Sequence, residues 1–128
     1  MMHAHIRFPS ILLSLFLAVG GFAGAAHALG GSSSGDNMPT CKKGEMYNQK
    51  TKKCVKQQSA DISDENRTDY AYALAKAHRY DEALAMLDTL KNPNTAEALN
   101  YRGYATRKLG RTDEGISYYL KSVELDPK

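Results

Sequence analysis

The chain is poor in the residues on which most protein chemistry depends. Of its four histidines only His78 lies beyond residue 27, so no histidine pair is available to bind a metal or to relay a proton. Cysteine is confined to Cys41 and Cys54. Two thiolates and one distant histidine fall short of a zinc ligand set, and the spacing is not the short Cys-x-x-Cys in which one thiol resolves the other. No Gly-rich phosphate loop is present, and nothing places a Ser or Cys nucleophile beside His78. The longest strongly apolar run, Ile11 to Val19, is interrupted by Gly20, Gly21 and Gly24 and does not reach the ~20 residues that span a bilayer. No cofactor, metal or catalytic residue is therefore expected, and the chain does not read as an enzyme.

What is present begins with an export signal. "MMHAHIRFPSILLSLFLAVGGFAGAAHALG" places Arg7 before the apolar run and small residues around Ala26-His27-Ala28, the three-part grammar of a cleaved secretory peptide. Residues 1–28 are expected to be removed, leaving 100 residues from Leu29; an uncleaved anchor is the competing reading. No cysteine follows the small residues, which disfavours lipid attachment. The product is expected in the periplasm or outside the cell, without a stable membrane span.

Residues 29–40, "LGGSSSGDNMPT", are rich in Gly and Ser and carry too little apolar surface to offset the entropy of ordering them, so a flexible linker is expected, with folding starting at Cys41. In an oxidising compartment the two cysteines are expected to pair. Between them "CKKGEMYNQKTKKCV" reads as two short strands across a polar turn, a basic hairpin over 41–56. Such a hairpin is marginal alone, and its Cys41–Cys54 link is worth roughly 3 kcal/mol by chain entropy. It holds six lysines against Glu45, a net of +5, whereas residues 57–128 hold ten basic and twelve acidic groups, a net of −2. Basicity this local, without a recognition motif, does not read as nucleic-acid binding. An alternative reading has the hairpin as a carbohydrate or cell-surface contact through Tyr47 and the lysines, with the rest of the chain as an oligomerising stalk.

After Gln57 the pattern becomes helical and repeats itself. "YALAKAHRYDEALAMLDTLKNP" (72–93) lies over "YATRKLGRTDEGISYYLKSVEL" (104–125), matching Tyr72 with Tyr104, Lys76 with Lys108, and Asp81-Glu82 with Asp113-Glu114. A fixed offset of 32 residues predicts stacked helix pairs. Helices are expected near 64–77, 81–91, 95–109 and 113–125. Asp61 or Ser63 can cap the first, Asn94 with Glu97 forms a capping box for the third, and the two Asp-Glu pairs suit helix N-termini.

These residues resemble the tetratricopeptide repeat. From Ala96 the second unit carries Leu99, Gly103, Gly110, Gly115, Tyr119, Ser122 and Asp126-Pro127 in the pattern's register. The first unit keeps Ala71, Leu74, Tyr80, Ala83 and Leu87, but Pro93 arrives early and Arg67 stands where a large apolar residue is usual. The resemblance implies an all-α architecture of two antiparallel helix-pair units, about 64–93 and 96–128, behind the disulfide-linked hairpin. Gly103 and Gly115 would sit where partner helices cross closely.

The resemblance also implies a binding role on the concave face. The positions that line it are Glu65, Thr68, Tyr72, Ala75 and Lys76, then Glu97, Asn100, Tyr104, Arg107 and Lys108, an array suited to an extended peptide held by aromatic contact with its carboxylate on the bases. Tyr72 and Tyr104 packing between helices is the alternative role for those rings. The partner expected is thus a protein or peptide. Exported bacterial proteins with a Cys-bounded basic hairpin ahead of such repeats look similar. With two units and no capping helix, Tyr101, Tyr104, Ala105 and Tyr118 are expected to lie near an uncovered surface through which the C-terminal helix pair could self-associate.

Overall fold

The computed structural model describes residues 35–59 and 61–128; the expected signal peptide and the first half of the linker lie outside the described residues. The described chain is mostly helical. A two-stranded antiparallel hairpin, β1 (Glu45–Asn48) and β2 (Lys53–Lys56), precedes four helices: α1 (Asp64–Lys76), α2 (Tyr80–Leu87), α3 (Ala96–Lys108) and α4 (Thr112–Leu125). Among these residues no helix is long and apolar enough to cross a membrane.

The hairpin pairs Met46 with Val55 and Tyr47 with Cys54, and Cys41 and Cys54 form the disulfide. Asn48 shapes the turn by accepting from the N–H groups of Lys50 at 2.9 Å and Thr51 at 3.2 Å, the local closure short polar side chains favour. Met46 is wholly buried. With Cys41, Ile62, Tyr70, Leu74, Ala83, Met86, Leu87 and Leu90 it forms a core shared by hairpin, α1 and α2. Tyr47 is partly buried against the same core. Packing starts ahead of Cys41, since Gly35 is buried and Met38 rests on the core.

Polar residues of α1 and of the turn after it attach the hairpin. The buried Tyr70 hydroxyl accepts from the Cys41 N–H at 2.8 Å, and Arg79 donates to the Cys41 carbonyl at 2.6 Å. Arg67, the apparent misfit of the first unit, is buried and donates to the carbonyls of Gln57 at 2.9 Å and Ser59 at 3.0 Å and to the Thr89 hydroxyl at 3.2 Å. A guanidinium with several donors can close loops that an apolar side chain cannot.

Helix ends follow local rules. Ser63 caps α1 by accepting from the Asn66 N–H. Thr95, rather than the expected Asn94, caps α3 by accepting from Ala98. The two Asp-Glu pairs lie in the first turns of α2 and α4 but make no cap; Glu82 instead forms a bidentate pair with Arg79 at 2.9 and 2.6 Å, and Glu114 pairs with Arg111 at 3.2 Å. Helices α1 and α3 both end in a left-handed residue, His78 at φ 61° and Gly110 at φ 88°. In each the next N–H reaches back five residues, Arg79 to Leu74 and Arg111 to Thr106, the Schellman closure. Helix α2 ends at Leu87 and not near 91: Thr89 and Leu90 bond three residues back instead of four, and the chain then runs into Asn92-Pro93, where helix is disfavoured.

Between α3 and α4 the expected close crossing is present. A Cβ on Gly103 would stand 2.9 Å from the Gly115 carbonyl, and one on Gly115 would stand 2.8 Å from the Gly103 carbonyl. Ser122 pins the far end by donating to the Ala96 carbonyl at 2.6 Å. The uncovered apolar surface differs from expectation. Ala105 is fully buried and Tyr101 and Tyr104 pack on the core, whereas Ile116, Leu120 and Val123 of α4 are 44, 61 and 56 % exposed. The glycine crossing turns the Gly115–Ser122 face of α4 toward α3, which leaves that row outside.

Candidate binding groove

Helices α1 and α3 lie side by side and run in the same direction, their N-terminal ends sharing one cavity and their later turns another. Residues three or four apart on each helix therefore form two neighbouring stripes: Glu65, Thr68, Tyr72 and Lys76 on α1, and Glu97, Asn100, Tyr104 and Lys108 on α3.

The larger cavity, about 450 Å³, is lined by Tyr72, Lys76, Asn100 and Tyr104 together with Asp36, Tyr101 and Tyr119. Tyr72 stacks on Tyr101 across the helix boundary, centroids 4.6 Å apart and planes 19° from parallel. Tyr104 meets Tyr80 of α2 edge-on at 6.2 Å. The rings thus pack between helices, yet Tyr72 and Tyr104 remain partly exposed. Three exposed cations stand over these rings: Lys76 over Tyr72, Lys108 over Tyr104 and Arg107 over Tyr119, each 5.6 Å from the centroid. Such contacts are worth about 0.5–1 kcal/mol at exposed sites, enough to orient a flexible side chain while its charge stays in water. Burial, then the neighbouring Asp36 carboxylate, raises the Tyr72 phenol above its ordinary value. Desolvation followed by Tyr104 does the same to Tyr80, so both rings stay neutral donors at physiological pH.

At the N-terminal ends a smaller cavity of about 260 Å³ is lined by Asp64, Glu65, Thr68, Asn92, Thr95 and Glu97. The Asp64 carboxylate accepts from the N–H groups of Lys91 at 3.1 Å and Asn92 at 2.8 Å, and the Asn92 bond is the main reason its carboxyl is held below the usual range.

The residues read from the sequence thus divide. Tyr72, Lys76, Asn100 and Tyr104 converge on the larger cavity; Glu65, Thr68 and Glu97 line the smaller; Arg107 and Lys108 stand at the basic end of α3. Thr68 and Ala75 are buried, contrary to their expected exposure, and the Thr68 hydroxyl is committed to the Asp64 carbonyl at 2.8 Å. Three lining residues were not foreseen. Tyr101, whose hydroxyl donates to Glu97 at 2.9 Å, is one helical turn beyond Glu97, and that spacing was the available signal. Tyr119 reaches the cavity because Gly103, against which its ring sits, has no side chain. Asp36 comes from the linker, where no periodicity marks a face. Comparison with protein-family models, curated proteins and solved structures finds no match to the chain.

Proposed function

We propose that this chain is a non-enzymatic adaptor of tetratricopeptide type, exported to the periplasm or beyond, that holds an extended acidic segment of a partner protein in the α1–α3 groove. One observation carries the reading: Tyr72 and Lys76, and Asn100 and Tyr104 of the other helix, come together on one cavity beneath a rim of cations. Neutral phenols give broad apolar contact at low conformational cost, and lysine and arginine over them meet carboxylates with charge-assisted hydrogen bonds. Helices of 13 residues are about 20 Å long, the reach of about six extended residues. The N-terminal apolar run and the disulfide support export.

Selection from a displayed random-peptide library on the disulfide-bonded protein tests this reading. Enriched peptides should carry Asp, Glu or a free C-terminus, and Tyr72→Ala with Tyr104→Ala should weaken them at least tenfold. Peptides that bind the double variant as well as the parent, or no enrichment at all, would remove the reading.

A further inference from the structure

The groove is partly filled by the chain itself. Gly35 is buried against α1, so close that a Cβ there would stand 2.6 Å from the Asp69 carbonyl and 2.9 Å from the Tyr72 ring. Only a residue without a side chain lets the linker lie this near the helix. A turn follows, in which the Met38 N–H donates to the Gly35 carbonyl at 3.3 Å, and Met38 rests on the core. The turn carries Asp36 into the wall of the larger cavity beside Tyr72 and Lys76. A carboxylate of the chain therefore stands among the phenol and the ammonium that the groove offers to a carboxylate of a partner.

We propose that residues Gly35 to Met38 are a built-in competitor, with Asp36 standing in for an acidic side chain of the ligand, so that the partner segment must displace this stretch to seat fully. The inference rests on the peptide-binding reading above and adds regulation to it. Asp36 is exposed, and among the described residues its segment is held by buried Gly35, one long backbone hydrogen bond, the Met38 contact and Asp36 against the Tyr72 phenol, a short stretch outside the disulfide loop that a partner carboxylate can replace. A groove open for only a fraction of the time shows an affinity lowered by that fraction. An opening of about one in ten costs about tenfold in apparent Kd.

The test uses the purified disulfide-bonded protein and a fluorescein-labelled Gly-Ser-Tyr-Asp-Glu-Leu peptide with a free C-terminus, its Asn-Gln amidated counterpart serving as control. Asp36→Asn and, separately, Gly35→Val should each bind the acidic peptide about three- to tenfold more tightly than the parent by fluorescence polarisation. Saturating the parent with peptide should speed hydrogen exchange at the Met38 amide. Equal or weaker binding by both variants, with the parent still binding, overturns the competitor while leaving the groove as a binding site. Absence of binding by parent and both variants overturns both. Unchanged exchange at Met38 under saturating peptide also overturns the competitor, because displacement is its physical content.

Discussion

Asn66 donates its side-chain amide to the Tyr47 carbonyl at 3.0 Å, and its side-chain oxygen accepts from the Gln49 N–H at 3.0 Å. One residue of α1 thus continues the hydrogen bonding of β1 on the side away from β2. The hairpin is thereby fixed to α1. Replacing Asn66 by Ala leaves a backbone donor and acceptor without these partners, and losing partly buried hydrogen bonds of this kind costs about 1–3 kcal/mol. Urea denaturation of Asn66→Ala should show a midpoint lowered accordingly with little change in slope.

The disulfide acts on the same hairpin. The Cys41 N–H is bonded to Tyr70, whose burial raises its phenol above the ordinary value. Replacing both cysteines by Ser should destabilise the protein by roughly 3 kcal/mol, while Tyr70→Phe should cost about 1–3 kcal/mol through the unsatisfied Cys41 donor. Because hydroxyl and disulfide hold one attachment, the triple variant should lose less than the two effects added. Strict additivity in denaturation would show that they act on separate parts of the fold.

What could be read from residues alone was whatever short-range pattern encodes. Cys41 and Cys54 pair for a compositional reason, and Gly103 and Gly115 stand at the close crossing that the repeat resemblance implies. Helix α1 was less legible. Asn66, Arg67, Thr68 and Asp69 are consecutive polar residues and all are buried, which no amphipathic pattern announces. Most of their partners, such as the Tyr47 carbonyl and the Gln49 side chain that donates to Asp69 at 2.9 Å, lie far off in sequence. In the groove, Tyr72, Lys76, Asn100 and Tyr104 were found from helical spacing and the repeat resemblance, whereas Tyr101, Tyr119 and Asp36 were not.

His78 holds a left-handed conformation that costs a side-chain-bearing residue about 1–2 kcal/mol, in the place where the second helix pair has Gly110. Its ring is exposed and shares a 2.7 Å hydrogen bond with the Tyr80 hydroxyl, a contact worth little in water. His78→Gly should therefore raise stability by about 0.5–1 kcal/mol, measured as a higher thermal midpoint. A lower midpoint would show that the ring contact outweighs the backbone strain.

Acid should loosen the loop between α2 and α3. Asp64 is held below its ordinary value chiefly by the Asn92 N–H, and Glu82 by Arg79. A carboxyl depressed in the folded state contributes stability above its unfolded pKa, and that contribution fades as pH falls through the lower folded value. The loss should begin below about pH 4–5 and continue to more acid pH. Asp64→Asn should flatten the stability profile in that window, and an unchanged profile would show that the loop bonds do not depend on its charge.

Gly103 links stability to the shape of the proposed groove. A methyl group there would meet the Gly115 carbonyl at 2.9 Å and the Tyr119 ring at 3.0 Å. Because the first contact is backbone, side-chain movement alone cannot relieve it. Gly103→Ala gains about 1 kcal/mol of helix propensity but must spread α3 from α4 or turn Tyr119, and overpacking of this kind costs about 1–3 kcal/mol. A net loss of up to about 2 kcal/mol follows, visible as a lowered urea midpoint. Asn100, Tyr104 and Tyr119 line the same cavity from these two helices, so the shift also alters the groove. Peptides selected on the parent should bind Gly103→Ala more weakly even well below its unfolding midpoint. A variant destabilised yet unchanged in peptide affinity would show that the groove is shaped by α1 and α3 alone, without the contribution of α4 through Tyr119.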